Sequence, residues 1–281
     1  MRGAVRIVAI GLLSALWPGG VAAAQDGPPR RVVSMNLCTD QMAMLVAAPG
    51  QLHSVSYLAI DPASSVLASE AGAYAVNHGL AEEVFLMRPD LVLAGTYTTR
   101  ATVGLLRKLG IRVEEFAPES SFDDIRANLR RMGEALGRPE RAAQLVAALD
   151  RGLAALPGEA GPRRTVATYY ANSYTSGSGT LVDAIVAASG LTNIAAELGL
   201  TGTARLPLEM LVLADPDLLV DGGRESESPA LADETFAHPA YRMLAARSRS
   251  VAVPAKYTIC GAPFTAEAVR LLREAAEAAS R

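Results

Sequence analysis

One segment of this chain occurs twice, and that repeat constrains the fold more than any other feature. Residues 80–95, "LAEEVFLMRPDLVLAG", align with residues 207–222, "PLEMLVLADPDLLVDG". Glu82, Pro89 and Asp90 recur as Glu209, Pro216 and Asp217, each 127 positions on. Each copy reads as a short amphipathic helix, a Pro-Asp turn that stops it, and a buried strand. The flanks follow the same order. "RVVSM" and "TVATYY" read as first strands, each followed by a polar loop and then a helix ("TDQMAMLVAA", "TLVDAIVAASG"). "LLRKLGIRVEEFAP" and "YRMLAARSRSVAVPA" each read as a helix followed by a strand. Alternating strands and helices predict parallel sheets built from βαβ units, with ligands at the C-terminal ends of the strands. The fold class expected is α/β, with two Rossmann-like lobes. The period is too long for a solenoid.

Between the two copies the strand signal disappears. "SFDDIRANLRRMGEALG" opens on a capping-box-like Ser121 and Asp124 and closes on Gly137. "RPERAAQLVAALDRGLAAL" follows, with Pro139 at its start and Pro157 beyond its end. This second helix, about 25 Å long at 1.5 Å per residue, has the reach of a strut between lobes. "PGEAGPRR" then reads as a linker. The expected division is residues 1–24 a leader, 25–120 an N-terminal lobe, 121–157 a helical segment holding the strut, and 158–281 a C-terminal lobe.

The leader has the form of a cleavable signal peptide. Arg2 and Arg6 precede the apolar run "IVAIGLLSALW", and Ala22, Ala23 and Ala24 offer a small-residue cleavage site. Export to an oxidising, periplasm-like space follows as the expectation, with no membrane span in the mature chain. The formal charge is −3, and becomes −5 once Arg2 and Arg6 are removed. An acidic balance argues against nucleic-acid binding, which wants a basic face. The sole tryptophan, Trp17, lies in the leader, so aromatic contacts to a ligand fall to Tyr, Phe and His.

The order of leader, "RVVSMNLCTD", "SVSYLAIDP", "GLAEEVFLMRPDLVLAG", helical strut and "PLEM" repeat resembles the class III periplasmic binding proteins over essentially the whole mature chain. That family serves ABC importers of cobalamin, ferric siderophores and haem. The resemblance implies two lobes joined by one long helix, a ligand cleft between them, little closing motion and no enzymatic activity. It also implies that Glu82 and Glu209, one per lobe, meet arginines of a dimeric permease in the inner membrane, and that the protein works as a monomer. Two separated anionic points would fix both register and orientation on a two-fold partner. Taken singly, a Glu in a first helical turn does no more than complement the helix dipole. Cobalamin binders of this family often carry a cleft tryptophan, which this mature chain lacks.

The loops after the predicted strands should line the cleft. They hold Asn36, Tyr57, His78, Tyr97 and Arg100 in the first lobe, and Tyr170, Tyr174, Arg205 and Tyr257 in the second, with Tyr74, Tyr169, Arg224 and Lys256 in or beside the same loops. A tyrosine offers a flat apolar face and a polar tip, which suits a large ring-bearing ligand. Cations around the cleft favour an anionic chelate. The expected ligand is a metal chelate (cobalamin, ferric siderophore or haem), with no intrinsic cofactor and no direct metal site, since His53, His78 and His238 form no spaced pair. His78, Tyr97 and Tyr257 are the candidate axial ligands should the chelate be haem. His238, before Pro239, reads as a helix start. "SGSGT" (176–180) offers a weak anion-binding loop.

The two cysteines leave alternatives open. Cys38 as a nucleophile would need a base, and only Asp40 is local, which leaves a cysteine-dependent enzyme as a minor alternative. In the family arrangement Cys38 and Cys260 sit on opposite lobes near the cleft mouth. They are either bridged, pinning the lobes on one side, or two free thiols that line the pocket.

Overall fold

The computed structural model describes residues 27–98, 100–156, 164–221 and 234–278. The leader and Arg224 lie outside the described residues. Among those described, no helix is long and apolar enough to cross a membrane.

The first half runs β1 (Val32–Ser34), α1 (Leu37–Val46), β2 (Leu52–Ser56), α2 (Ala68–Ala71), β3 (Ala75–Asn77), α3 (Ala81–Leu86), β4 (Leu91–Gly95), α4 (Arg100–Lys108) and β5 (Val113–Phe116). Its sheet has the order β3-β2-β1-β4-β5, and every pairing is parallel. β1 and β4 are buried along their whole length, as strands covered by helices on both faces must be.

Two helices follow, α5 (Phe122–Leu136) and α6 (Pro139–Ala154). Ser121 caps α5, its hydroxyl accepting the Asp124 N–H at 3.1 Å, and Gly137 ends it in the left-handed region at φ 65°. The pair packs tightly near its turn: a Cβ on Gly133 would come within 2.5 Å of the Ala142 Cβ. α6 packs against α1 of the first half and against α12 (Thr265–Ala278) at the far end of the chain, and α5 packs against α1 and α6.

The second half runs β6 (Thr165–Tyr169), β7 (Tyr174–Ser176), α7 (Leu181–Ala188), β8 (Thr192–Asn193), α8 (Ile194–Glu197), β9 (Thr203–Arg205), α9 (Leu208–Ala214), β10 (Leu218–Asp221), α10 (Glu234–Ala237), α11 (Pro239–Arg247) and β11 (Arg249–Ala252), before α12. The order β8-β6-β10-β11 is again parallel throughout, with β7 and β9 forming a separate antiparallel ribbon. One apolar core runs through both halves and the helical pair, from Val32 and Leu93 through Leu129 and Leu149 to Val220 and Leu272. A smaller core in the second half gathers Tyr169, Leu211, Phe236 and Tyr241.

The repeated Pro-Asp turn has a specific structural use. Arg88 and Asp215, equivalent residues that precede the two prolines, both take left-handed backbone (φ 51° and 43°) and stop their helices. The aspartates then reach sideways. Asp90 accepts the N–H groups of Arg30 (2.6 Å) and Arg31 (2.9 Å), just ahead of β1. Asp217 accepts the N–H and hydroxyl of Thr165 (2.7 and 3.0 Å), the first residue of β6. In each half the motif locks the first strand to its neighbour through charge-assisted hydrogen bonds. His238 caps α11 as its sequence context predicts, Nδ1 accepting the Ala240 N–H at 3.1 Å.

Candidate ligand site

Parallel strands place all their C-terminal ends on one edge, so loops far apart in sequence gather there. In the first sheet Asn36 follows β1, Tyr57 follows β2, His78 follows β3 and Tyr97 follows β4. Tyr57, in a 3₁₀ turn (Tyr57–Ile60), is half exposed, and its ring stacks on His78 with centroids 5.6 Å apart and planes 19° apart. Glu83 holds His78 twice, accepting its N–H at 2.7 Å and meeting Nδ1 at 3.2 Å. The other ring nitrogen is thereby turned away from Glu83, the usual way of orienting an imidazole that ligates through one nitrogen. Tyr97 is 86% exposed. Arg100 opens α4 and is exposed. Asn36 caps α1, its Oδ1 accepting the Cys38 N–H at 3.0 Å, so its carbonyl oxygen serves the helix.

In the second half, Tyr174 and Arg205 are a directly opposed pair on the β7–β9 ribbon, with the guanidinium 5.6 Å from the ring centroid. Tyr170 follows β6 and, with Thr168, Ser176, Val182, Ile185, Val186, Val220, Val253 and Ile259, lines a largely apolar cavity of about 240 Å³. Tyr257 lies in a 3₁₀ turn (Ala255–Tyr257); its ring packs toward the main core, with Lys256 Nζ 5.6 Å from its centroid.

A disulfide joins Cys38, in the first turn of α1, to Cys260 beyond β11, with Cα atoms 5.1 Å apart. It ties the strand-end edge of the first sheet to the strand-end side of the second. Beside it Glu119 is buried, accepting the Gly261 N–H (3.2 Å) and the Asn128 amide (2.6 Å). Burial pushes the Glu119 carboxyl above its usual range, against the pull of those hydrogen bonds. A Cβ at Gly261 would fall within 3 Å of Glu119 and Ile125, so the segment after Cys260 sits backbone-close on the start of the helical pair. Asp40, in the same first turn of α1 as Cys38, is fully buried and accepts the Ser56 N–H (3.1 Å) and hydroxyl (2.5 Å). Burial raises its pKa to about 6, against hydrogen bonds from Ser34 and Ser56 that lower it.

Several sequence expectations change here. Both cysteines are committed to the disulfide, which removes the nucleophile and the free-thiol readings together. Tyr169 does not reach the strand-end loops; it is buried between Phe236 and Tyr241. Tyr74 precedes β3 and so sits at the opposite end of that strand from His78, packed on the core. Three amides of the "SGSGT" loop are used inside the fold, those of Ser176, Gly177 and Ser178 donating to Thr168, Gly202 and Leu200. Sequence reasoning named Asp40 only as a base local to Cys38 and missed its burial, as it missed Glu119 and the apolar cavity. The polar neighbours Thr39 and Gln41 gave no sign that Asp40 is buried, and "APESS" carried none for Glu119.

Two parallel open sheets, with a helical pair between them in the chain and a disulfide joining their strand-end sides, make a two-lobed α/β scaffold. The family model for periplasmic binding protein matches residues 32–256, and the chain belongs to that family. It is 30% identical over 206 residues to the cobalamin-binding protein of Halobacterium salinarum, covering 70% of this chain and 55% of that one. The match therefore spans about half the length of that relative. Among solved structures, the fold is similar to the periplasmic haem-binding protein RhuT from Roseiflexus sp. RS-1 (TM-score 0.72, 22% identity, 90% of this chain and 99% of that one). It is also similar to the vitamin B12 binding protein BtuF of Vibrio cholerae (TM-score 0.65, 17% identity, 90% and 99%). The family and these relatives are binding proteins, not enzymes.

Proposed function

We propose that this chain is a periplasmic substrate-binding protein that delivers a metal chelate, of cobalamin or ferric-siderophore type, to an ABC importer. The observation that carries the reading is the Cys38–Cys260 disulfide, which holds the strand ends of both sheets at one place. The aromatic and cationic side chains named for the cleft then lie on its two sides: Tyr57 and His78 on one, Tyr170, Tyr174 and Arg205 on the other. Flat aromatic faces with a few cations suit a large, partly polar, anionic ring system. Residues 25–120 and 158–281 serve as the two lobes, residues 121–157 as their connection, and residues 1–24 as the export signal. Glu82 and Glu209, both exposed, are the docking points on the permease.

Haem is the second reading, favoured by one observation. His78 is held through Nδ1 by Glu83 and stacked on Tyr57, which leaves Nε2 directed for an axial bond.

The test is native mass spectrometry of protein exported to a periplasm and purified without reductant, followed by titration with cobalamin, ferric hydroxamate and haem. Micromolar or tighter binding of one of them supports the reading. No binding of any chelate, with the disulfide intact, would sink it. A haem complex whose Soret band is unchanged in His78→Ala rules out His78 as the axial ligand.

A further inference from the structure

The docking reading concerns two acids, but the structure pairs each acid with an exposed leucine. Leu86 follows Glu82 by four residues in α3, and Leu213 follows Glu209 by four in α9, so each pair shares one helix face. Leu86 is 77% exposed and Leu213 is 85% exposed. They are equivalent positions of the repeat, 127 residues apart like the acids themselves. The repeat's inward face is kept at the same time: Val84 and its equivalent Leu211 are both buried. Each leucine stands two residues before a left-handed residue and three before a proline, so it projects from a helix end fixed by the Pro-Asp lock. Further apolar surface adjoins both, with Leu80 and Phe85 exposed in the first half and Met210 in the second.

Scattered exposed leucines need no explanation. Two at the same repeat position, each beside an exposed acid, do. We infer that Leu86 and Leu213 are the apolar anchors of the docking surface, each seated in an apolar socket next to the basic group that meets Glu82 or Glu209. The division of labour follows from interface physics: a central buried apolar side chain supplies affinity, and rim charges supply register and on-rate. The occupant is a membrane permease with two equivalent sockets. Two equal patches on one chain call for two equal sites opposite. A second copy of this chain would bring Glu82 and Glu209 against their own kind, a like-charge arrangement that costs affinity.

The inference rests on the docking reading, and its test separates the two. A photo-crosslinking residue, p-benzoylphenylalanine, is placed singly at Leu86, Leu213, Glu82 and Glu209, and at the exposed Leu109 as a control, in the full chain expressed in its own cells. Adducts are identified by mass spectrometry after irradiation. Adducts from Leu86 and Leu213 with the same polytopic permease, absent from the Leu109 control, support the anchors. Adducts with the permease from Glu82 and Glu209 but not from both leucines overturn the anchors and leave docking intact. No permease adduct from any of the four overturns docking and anchors alike. Adducts from the leucines with a second copy only overturn the proposed partner. In binding to the importer in nanodiscs, Leu86→Ser and Leu213→Ser should each weaken association about tenfold, with Leu→Met at either position close to wild type. An effect below twofold in both serine variants would overturn the inference.

Discussion

The first sheet runs β3-β2-β1-β4-β5 and the second β8-β6-β10-β11, so β1, β2, β4 and β5 of one correspond to β6, β8, β10 and β11 of the other. The correspondence extends to detail. Asp90 and Asp217 lock the first strands, Arg88 and Asp215 turn left-handed before proline, and Val84 and Leu211 face inward. An acid early in the first helix ties to the end of the second strand in both: Asp40 to Ser56, and Asp183 to Asn193 at 3.0 Å. What differs lies at the strand ends. The first half adds β3 and the Tyr57–His78 stack, whereas the second adds the β7–β9 ribbon and the apolar cavity. Shared features build the scaffold and the matched acids of the proposed docking surface; unshared features shape the strand-end loops proposed to hold the ligand.

The largest expected effect comes from cutting the tie between the halves. The disulfide spans 222 residues of sequence, and the chain-entropy view of so long a loop gives a loss of about 5 kcal/mol for Cys38→Ser with Cys260→Ser. Urea denaturation measures it. A single transition shifted by that amount means the halves unfold together, while two separated transitions would show that the disulfide alone couples them.

Next is a pH dependence that the first half should show through Asp40. Its folded pKa, about 6, lies above the ordinary value of 3.8, so between those limits the folded state holds a proton that the unfolded state has lost. Stability from this group is therefore full below pH 3.8 and falls as pH rises toward 6, by about 3 kcal/mol over the window. Buried Glu119, also raised, acts with the same sign. Asp40→Asn should flatten the decline in a series of melting curves from pH 4 to 7. An Asp40→Asn curve that parallels wild type would place the slope elsewhere.

The smallest effect tests the Pro-Asp lock itself. Asp90 is partly buried and Asp217 exposed, so Asp90→Ala should cost about 2 kcal/mol and Asp217→Ala about 1 kcal/mol. Equal costs would mean that burial does not separate the two locks, and a larger loss for Asp217 would reverse the comparison.

Much of this architecture was legible in the sequence because it depends on local periodicity. The helix–Pro-Asp–strand unit, the Ser121 and His238 caps and the glycine stop at Gly137 each rest on residues within one turn of each other. The candidate site was legible only in part. Tyr57, His78, Tyr97 and Tyr170 fall where strand-then-loop reasoning puts them. Tyr169 and Tyr74 do not, since a tyrosine one residue inside a strand, or at its beginning, has the same composition signal as one just past its end. Where a strand is covered on both faces, no alternation marks which residues are inside.

By itself, then, the sequence determined an α/β chain with two related halves, a helical connection and an acid at the same point of each half, because spacing and capping act over a few residues. The tertiary structure alone decided that Cys38 and Cys260 meet, that Asp40 and Glu119 are buried, that Leu86 and Leu213 stay in water, and that Tyr170 lines a cavity. Each of those depends on the packing of elements far apart in the chain. Burial and proximity at that range are set by how helices seat on sheets, which no local pattern records.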